Sequence, residues 1–129
     1  MDFSDRKATM TKASTSIKPL WEITSQKVFT AIEKIIEVSH PRKIIIFGSY
    51  ISGNMHRDSD LDILVVTDDD VNNPRNESVR IRRALKGILM SMDILVIPEQ
   101  QLFILAQVPG LIYREILTCG KVVYESKTR

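Results

Sequence analysis

Three short apolar runs, separated by stretches of helical length, predict an α/β fold: a small mixed β-sheet with helices packed mainly on one side. The runs are 43–47 (KIIIF), 61–67 (LDILVVT) and 91–97 (SMDILVI). They are rich in β-branched residues, bounded by turn formers and too apolar for a solvated surface, so they read as buried strands. At 129 residues the chain is expected to form one domain.

Residues 1–18 are polar, rich in Ser, Thr and Lys, and without apolar period, so a weakly ordered tail is expected ahead of a domain over 19–129. Met10 is an alternative start to Met1. From 20 to 38, Ile23, Val28, Ala31, Ile32, Ile35 and Ile36 recur at helical spacing, with Lys27, Glu33, Lys34 and Glu37 opposite. His40-Pro41 ends that helix, because a residue before proline avoids helical angles. Gly48-Ser49 breaks the first strand, and a short helix over 50–53 is expected to follow. Asp68–Asp70 and Asn72-Asn73-Pro74 form a polar loop. A basic helix is predicted over 77–89, two short helices over 99–107 and 110–118, and an edge strand over 121–124. Gly120 reads as a left-handed cap on the last helix.

Composition narrows the function. With 43% hydrophobic and 26% charged residues the chain is an ordinary soluble protein, and a net charge of +2 gives no strong nucleic-acid signal. Cys119 is the single cysteine, which excludes an internal disulfide and a thiol metal motif and reads as a half-buried thiol near a helix end. No apolar run reaches membrane-spanning length and the N-terminus lacks a signal-peptide stretch, so a cytoplasmic protein without a membrane partner is expected. Charge is segregated, however. Asp58, Asp60, Asp62, Asp68, Asp69 and Asp70 crowd one segment, whereas Arg75, Arg80, Arg82, Arg83 and Lys86 follow in the next. Such a division suits a site with metal on one side and phosphate on the other, although a solvated basic helix face is the simpler reading of the second segment.

The chemistry centres on Asp60 and Asp62. One residue apart on a strand, their carboxylates share a face. Two such acids repel unless a cation lies between them, and oxygen ligands suit magnesium or manganese. Asp93 begins a near copy of the same string, DILVI against DILVV, so neighbouring strands would bring it alongside. Three carboxylates at one point make a two-metal site. Gly48 permits a sharp turn after a buried strand, and the amides that follow, with the Ser49 hydroxyl, are candidate phosphate donors. His56 reads as a solvated loop histidine, and Trp21 and Tyr50 as packing residues.

The string IIIFGSYISGNMHRDSDLDILVV resembles the signature of the minimal nucleotidyltransferases of the DNA polymerase β superfamily. The ten residues from Tyr50 to Ser59 give the spacer that pattern has between Gly-Ser and Asp-x-Asp. The ending IYREILTCGKVVYE is similar to the closing helix and strand of the small members. The resemblance implies that Gly48 and Ser49 contact a nucleoside triphosphate and that Asp60, Asp62 and Asp93 are catalytic and hold Mg2+ (two ions, with Mn2+ an alternative). It implies transfer of a nucleoside monophosphate, AMP from ATP, to a hydroxyl acceptor. Small members resemble antitoxins of toxin–antitoxin modules that modify a helical HEPN-type partner. Modification of a small molecule such as an aminoglycoside, and a non-catalytic module that neutralises a partner by contact, are the alternatives. Ser52 stands where many small members carry arginine, and Arg57, Arg80 and Arg83 are candidate replacements for it. An acceptor pocket shared with another chain, or an oligomer, is compatible with this size.

Overall fold

A computed structural model describes residues 22–56 and 59–127. The expected tail, Trp21, Arg57 and Asp58 lie outside the described residues. The elements follow the order α1 (Ser25–Ser39), β1 (Lys43–Phe47), α2 (Ser49–Ser52), β2 (Leu61–Thr67), α3 (Pro74–Ala84), β3 (Met92–Pro98), α4 (Glu99–Leu105), α5 (Ile112–Cys119) and β4 (Lys121–Glu125).

The four strands form one mixed sheet in the order β3-β2-β1-β4. β1 is antiparallel to both β2 and β4, whereas β2 and β3 run parallel. A parallel pair needs a crossover, and α3 supplies it. Strand alternation then divides the core in two. On one face Ile44, Ile46, Leu61, Ile63 and Val65 meet Val28, Ala31 and Ile35 of α1 and Ile81 of α3. On the other, Ile45, Phe47, Leu64, Val66 and Ile97 meet Leu102 of α4 and Ile116 of α5. The longer helices therefore share one face, as expected, and the second face has a lighter cover of two short ones.

The ends of the elements show local chemistry at work. Thr24 caps α1 by accepting from the Lys27 amide at 3.2 Å. His40 ends it in a left-handed conformation, φ 47°, and its N–H donates to Ile36 O. The residue before Pro41 thus leaves the right-handed helix by the left-handed route. α3 begins at Pro74, three residues before the expected 77, because Asn73 caps it and accepts from the Asn76 amide at 3.1 Å. Asn-Pro is here a cap followed by a first helical residue. Gly120 corrects another expectation: its φ is −74° and ψ 168°, extended and not left-handed. Glycine is required there by space, since a Cβ would lie 2.5 Å from Ile116 O and 2.7 Å from Ile45 Cγ2.

The charged segments also separate. Asp68 pairs with Arg42 at 2.7 Å and Asp69 accepts from the Gln100 amide at 2.9 Å. Both lie beyond the far end of β2 from Asp60 and Asp62, so the acidic run serves two ends of the sheet. Arg80 is occupied with structure: it bonds Glu77 and donates to Val38 O, which fastens α3 to the end of α1. Ser39 adds a hydroxyl donor to Glu77 Oε2 at 2.6 Å. Burial raises the Glu77 pKa, but the bonds from Arg80 and Ser39 outweigh it and hold the carboxyl below its ordinary range. Arg80 therefore does not stand in for the arginine absent at Ser52. Tyr50 packs against the α1/α3 core, as expected of a packing residue.

Candidate active site

Where β1 ends, the backbone turns at Gly48 with φ 82° and ψ −154°. A side chain there is disfavoured on two independent grounds. The positive φ suits glycine, and a Cβ would overlap the Asp62 carboxylate. The bare α-carbon of Gly48 is thus one wall of the Asp62 site. Beyond it, Gly48 O accepts from the Ile51 and Ser52 amides at 3.1 and 3.0 Å, and Gly53 closes the single turn of α2 with φ 84°. The Ser49 and Tyr50 amides at the head of that turn find no acceptor among the described residues. The Ser49 hydroxyl is 3.8 Å from Met55 Sδ, a weak contact. Ser52 is exposed, and its hydroxyl lies 3.4 Å from Ser49 O.

The strand register aligns the acids. Asp62 pairs with Phe47 of β1 on one side and with Asp93 of β3 on the other. Alternation sends both carboxylates to the α4/α5 face, which also holds Leu64, Val66 and Ile97. Asp60 lies just before β2 and accepts a hydrogen bond from the Ser91 hydroxyl. The Leu61 amide donates to Ser91 O at 2.9 Å, so the residue before β3 is stitched to the start of β2.

Asp62 carries the electrostatic cost. Its pKa is raised above 3.8 first by burial, then by the charges of Asp93 and Asp60. Among the described residues no three His, Cys, Asp or Glu side chains stand gathered as a ready-made metal cage. Asp60 and Asp93 are exposed at the margins, whereas Asp62 is half-buried at the centre.

A pocket of about 180 Å³ opens beside Asp62 and Gly48, with Phe47, Ile112 and Ile116 as apolar walls and Glu115 and Cys119 completing the lining. Glu115, Cys119 and Ser91 were not among the expected site residues. The amphipathic pattern of 112–119 assigns Ile116 to the core, but no local signal in it places Glu115 opposite Asp62. Cys119 is at the helix end as expected, although exposed and not half-buried. His56 is exposed in its loop, where its amide donates to Ser59 Oγ at 3.0 Å.

A profile described as polymerase beta, nucleotidyltransferase, matches residues 30–129. The chain belongs to the polymerase β nucleotidyltransferase family. This nucleotidyltransferase also shares its fold with a candidate nucleotidyltransferase from Sulfolobus solfataricus, at 17% identity and a TM-score of 0.55 over 80% of this chain and 81% of that one. A toxin–antitoxin structure with AMP-PNP is 25% identical over 76% of this chain and 73% of that one, with a TM-score of 0.47. No curated protein sequence matches the nucleotidyltransferase significantly. Among the described residues no helix is long and apolar enough to cross a membrane.

Proposed function

We infer that this nucleotidyltransferase moves AMP from ATP to a hydroxyl group, and that the acceptor is a side chain of a separate helical, HEPN-type protein. The observation that carries the catalytic part is the Asp62 carboxylate, wedged against the bare Gly48 α-carbon and coupled in charge to Asp60 and Asp93 beside an apolar-walled pocket. The protein acceptor rests on the resemblance of IIIFGSYISGNMHRDSDLDILVV to the small antitoxin-like members.

A divalent cation fits this donor set. The three acids offer only oxygen, which matches the hard ions magnesium and manganese. The Asp62 pKa is raised first by burial and then by the charges of Asp93 and Asp60, and a cation between these acids would offset the second cause. Asp60 and Asp93, both exposed, have room to turn towards a shared ion. Asp60 and Asp62 would hold it with Asp93 completing the set, and its chemistry there would be to neutralise charge on the phosphate oxygens.

The chain's own residues do the rest. The Ser49 and Tyr50 amides and the Ser49 hydroxyl bind phosphate oxygens and orient the triphosphate. Phe47, Ile112 and Ile116 exclude water from one side of the site. Asp93 receives the acceptor's hydroxyl proton. The acceptor oxygen forms its bond to the α-phosphorus as the bond to the bridging oxygen breaks, and pyrophosphate leaves with that electron pair.

The test is mass spectrometry of this chain co-expressed with the product of its neighbouring gene. An added AMP on a hydroxyl of the partner is expected, and it should vanish with Asp62→Asn. AMP found only on small molecules would favour the small-molecule reading. Neutralisation of the partner without any AMP transfer would favour the binding module.

A further inference from the structure

Among the described residues β3 is an edge strand, paired with β2 alone. Its outer carbonyls need partners from outside the sheet. Arg82 supplies one of them. It starts on α3, beneath the opposite face of the sheet from Asp93, and passes round the strand edge. Its Nη2 donates to Ile94 O at 3.1 Å, and its Nε donates to Ser78 Oγ at 3.3 Å. The same Nη2 lies 3.7 Å from Asp93 Oδ1.

These three contacts differ in kind. Ile94 O and Ser78 Oγ are neutral, and both sit on regular elements. They hold the guanidinium in place whether or not Asp93 stays. Asp93 is the more open of the pair, its side chain 57% exposed against 49% for Arg82. It has two competing attractions: Arg82 on the outside, and on the inside any cation that relieves the repulsion among the acids. With Asp60 held by the Ser91 hydroxyl and Asp93 drawn towards Arg82, Asp93 and Asp62 share a register while no three acids among the described residues are gathered at metal distance.

We propose that Arg82 is a positioning residue for Asp93, holding this carboxylate at the outer margin of the cluster and yielding it when a divalent cation binds beside Asp62. The proposal rests on the metal-dependent reading above. Arg82 then weakens cation binding in two ways, by competing for Asp93 and by repelling the ion. An exposed pair of this geometry corresponds to about a two- to fivefold effect on an equilibrium constant.

The test is titration with Mn2+ alone, read from the electron paramagnetic resonance of the free ion. It uses the full chain, Arg82→Gln, Asp93→Asn and the double variant. Arg82→Gln is expected to bind Mn2+ about two- to fivefold tighter than the unaltered chain. In the Asp93→Asn background the same change should have a smaller effect, because the competition is gone and only repulsion remains. Unchanged or weaker binding by Arg82→Gln overturns the proposal, as does an equal effect in both backgrounds. Binding of no Mn2+ by the unaltered chain overturns the metal-dependent reading itself, which separates the two failures. A measurement on the unaltered chain covers a glutamine variant that fails to fold: the Arg82 Nε–H resonance should shift as Mg2+ is added. A resonance that stays fixed while the resonances of Asp62 move overturns the proposal.

Discussion

The two faces of the sheet use the same strands and finish them differently. Under α1 and α3, the side chains of Ile44, Ile46, Leu61, Ile63 and Val65 are sealed from water. Under α4 and α5, Ile45, Leu64 and Val66 are sealed as well, but towards the Gly48 end the row passes to Asp62 and Asp93. Leu61 and Asp62 are adjacent in sequence, yet one is fully buried and the other lines the pocket. A period of two lets a single strand carry a core on one side and a pocket-lining carboxylate on the other. The closed face meets most of the demand for stability, and this allows the open face to hold like charges together. Stability and chemistry should therefore separate under single substitutions.

The sharpest break is Asp62→Asn, which keeps size and removes charge. Nucleotidyl transfer is expected to fall by at least about a hundredfold, because charge stabilisation is a large share of the barrier reduction. The metal-free variant should nevertheless melt at or above the unaltered chain. The sign follows from linkage. The raised pKa means that the native state binds the Asp62 proton more tightly than the unfolded chain does. The resulting penalty grows as pH rises from 3.8 through the raised value and is complete above it. Melting curves of both proteins across that window, with and without Mg2+, check it. A variant that melts lower than the unaltered chain at neutral pH would show that Asp62 is stabilising and not strained.

On the closed face, Ile63→Ala should reverse the pattern. Deleting a fully buried isoleucine side chain costs about 2–5 kcal/mol. Denaturant unfolding should show this loss, while kcat of the folded fraction stays close to that of the unaltered chain. A large fall in kcat at full folding would join the two faces that the alternation separates.

A smaller effect tests the pocket. Cys119 is exposed, lines the cavity with Asp62 and is the chain's only cysteine. Alkylation by N-ethylmaleimide should weaken ATP binding, and ATP should slow alkylation. Equal alkylation rates with and without ATP would move the nucleotide away from α5.

The smallest effect belongs to Glu77→Gln at the seam of α1 and α3. Its bonds to Ser39 and Arg80 are worth about 1 kcal/mol at neutral pH. A depressed carboxyl pKa gives stability that is present above the ordinary 4.5 and disappears as pH falls through the lowered native value. The difference between the two proteins should vanish over that acid range. A difference that persists below it would assign the effect to shape and not to charge.

Much of this fold was legible because local signals and tertiary demand agree. The runs 43–47 and 61–67 coincide with β1 and β2, since β-branched residues lie between strong breakers at both ends. The repeated string DILVV and DILVI also carried long-range information: identical phase on neighbouring strands aligns Asp62 with Asp93. What stayed hidden depends on approach between distant segments. Ser91 reaches Asp60 and Glu115 faces the Asp62 pocket only after the sheet and α5 have assembled. Arg82 shows the same limit. Its helix reads as a solvated basic face, and only the edge position of β3 turns one of those arginines towards an acid. The acidic run 68–70 misled in the opposite sense, because a seven-residue strand carries Asp68 and Asp69 away from the cluster.

Gly120 is not itself part of the pocket's lining, yet it holds the helix that is: its N–H donates to Ile116 O at 2.8 Å. Its missing side chain lets the end of α5 settle onto β1, with Ile116 O and Ile45 Cγ2 occupying the space of a methyl group. Ile112, Glu115, Ile116 and Cys119 all ride on that helix. A single methyl at 120 must lift the helix end, and with it the whole wall opposite Asp62. The gauge of the site is thus held by an atom that is not there, and a change of one carbon beyond its border would retune which molecules pass.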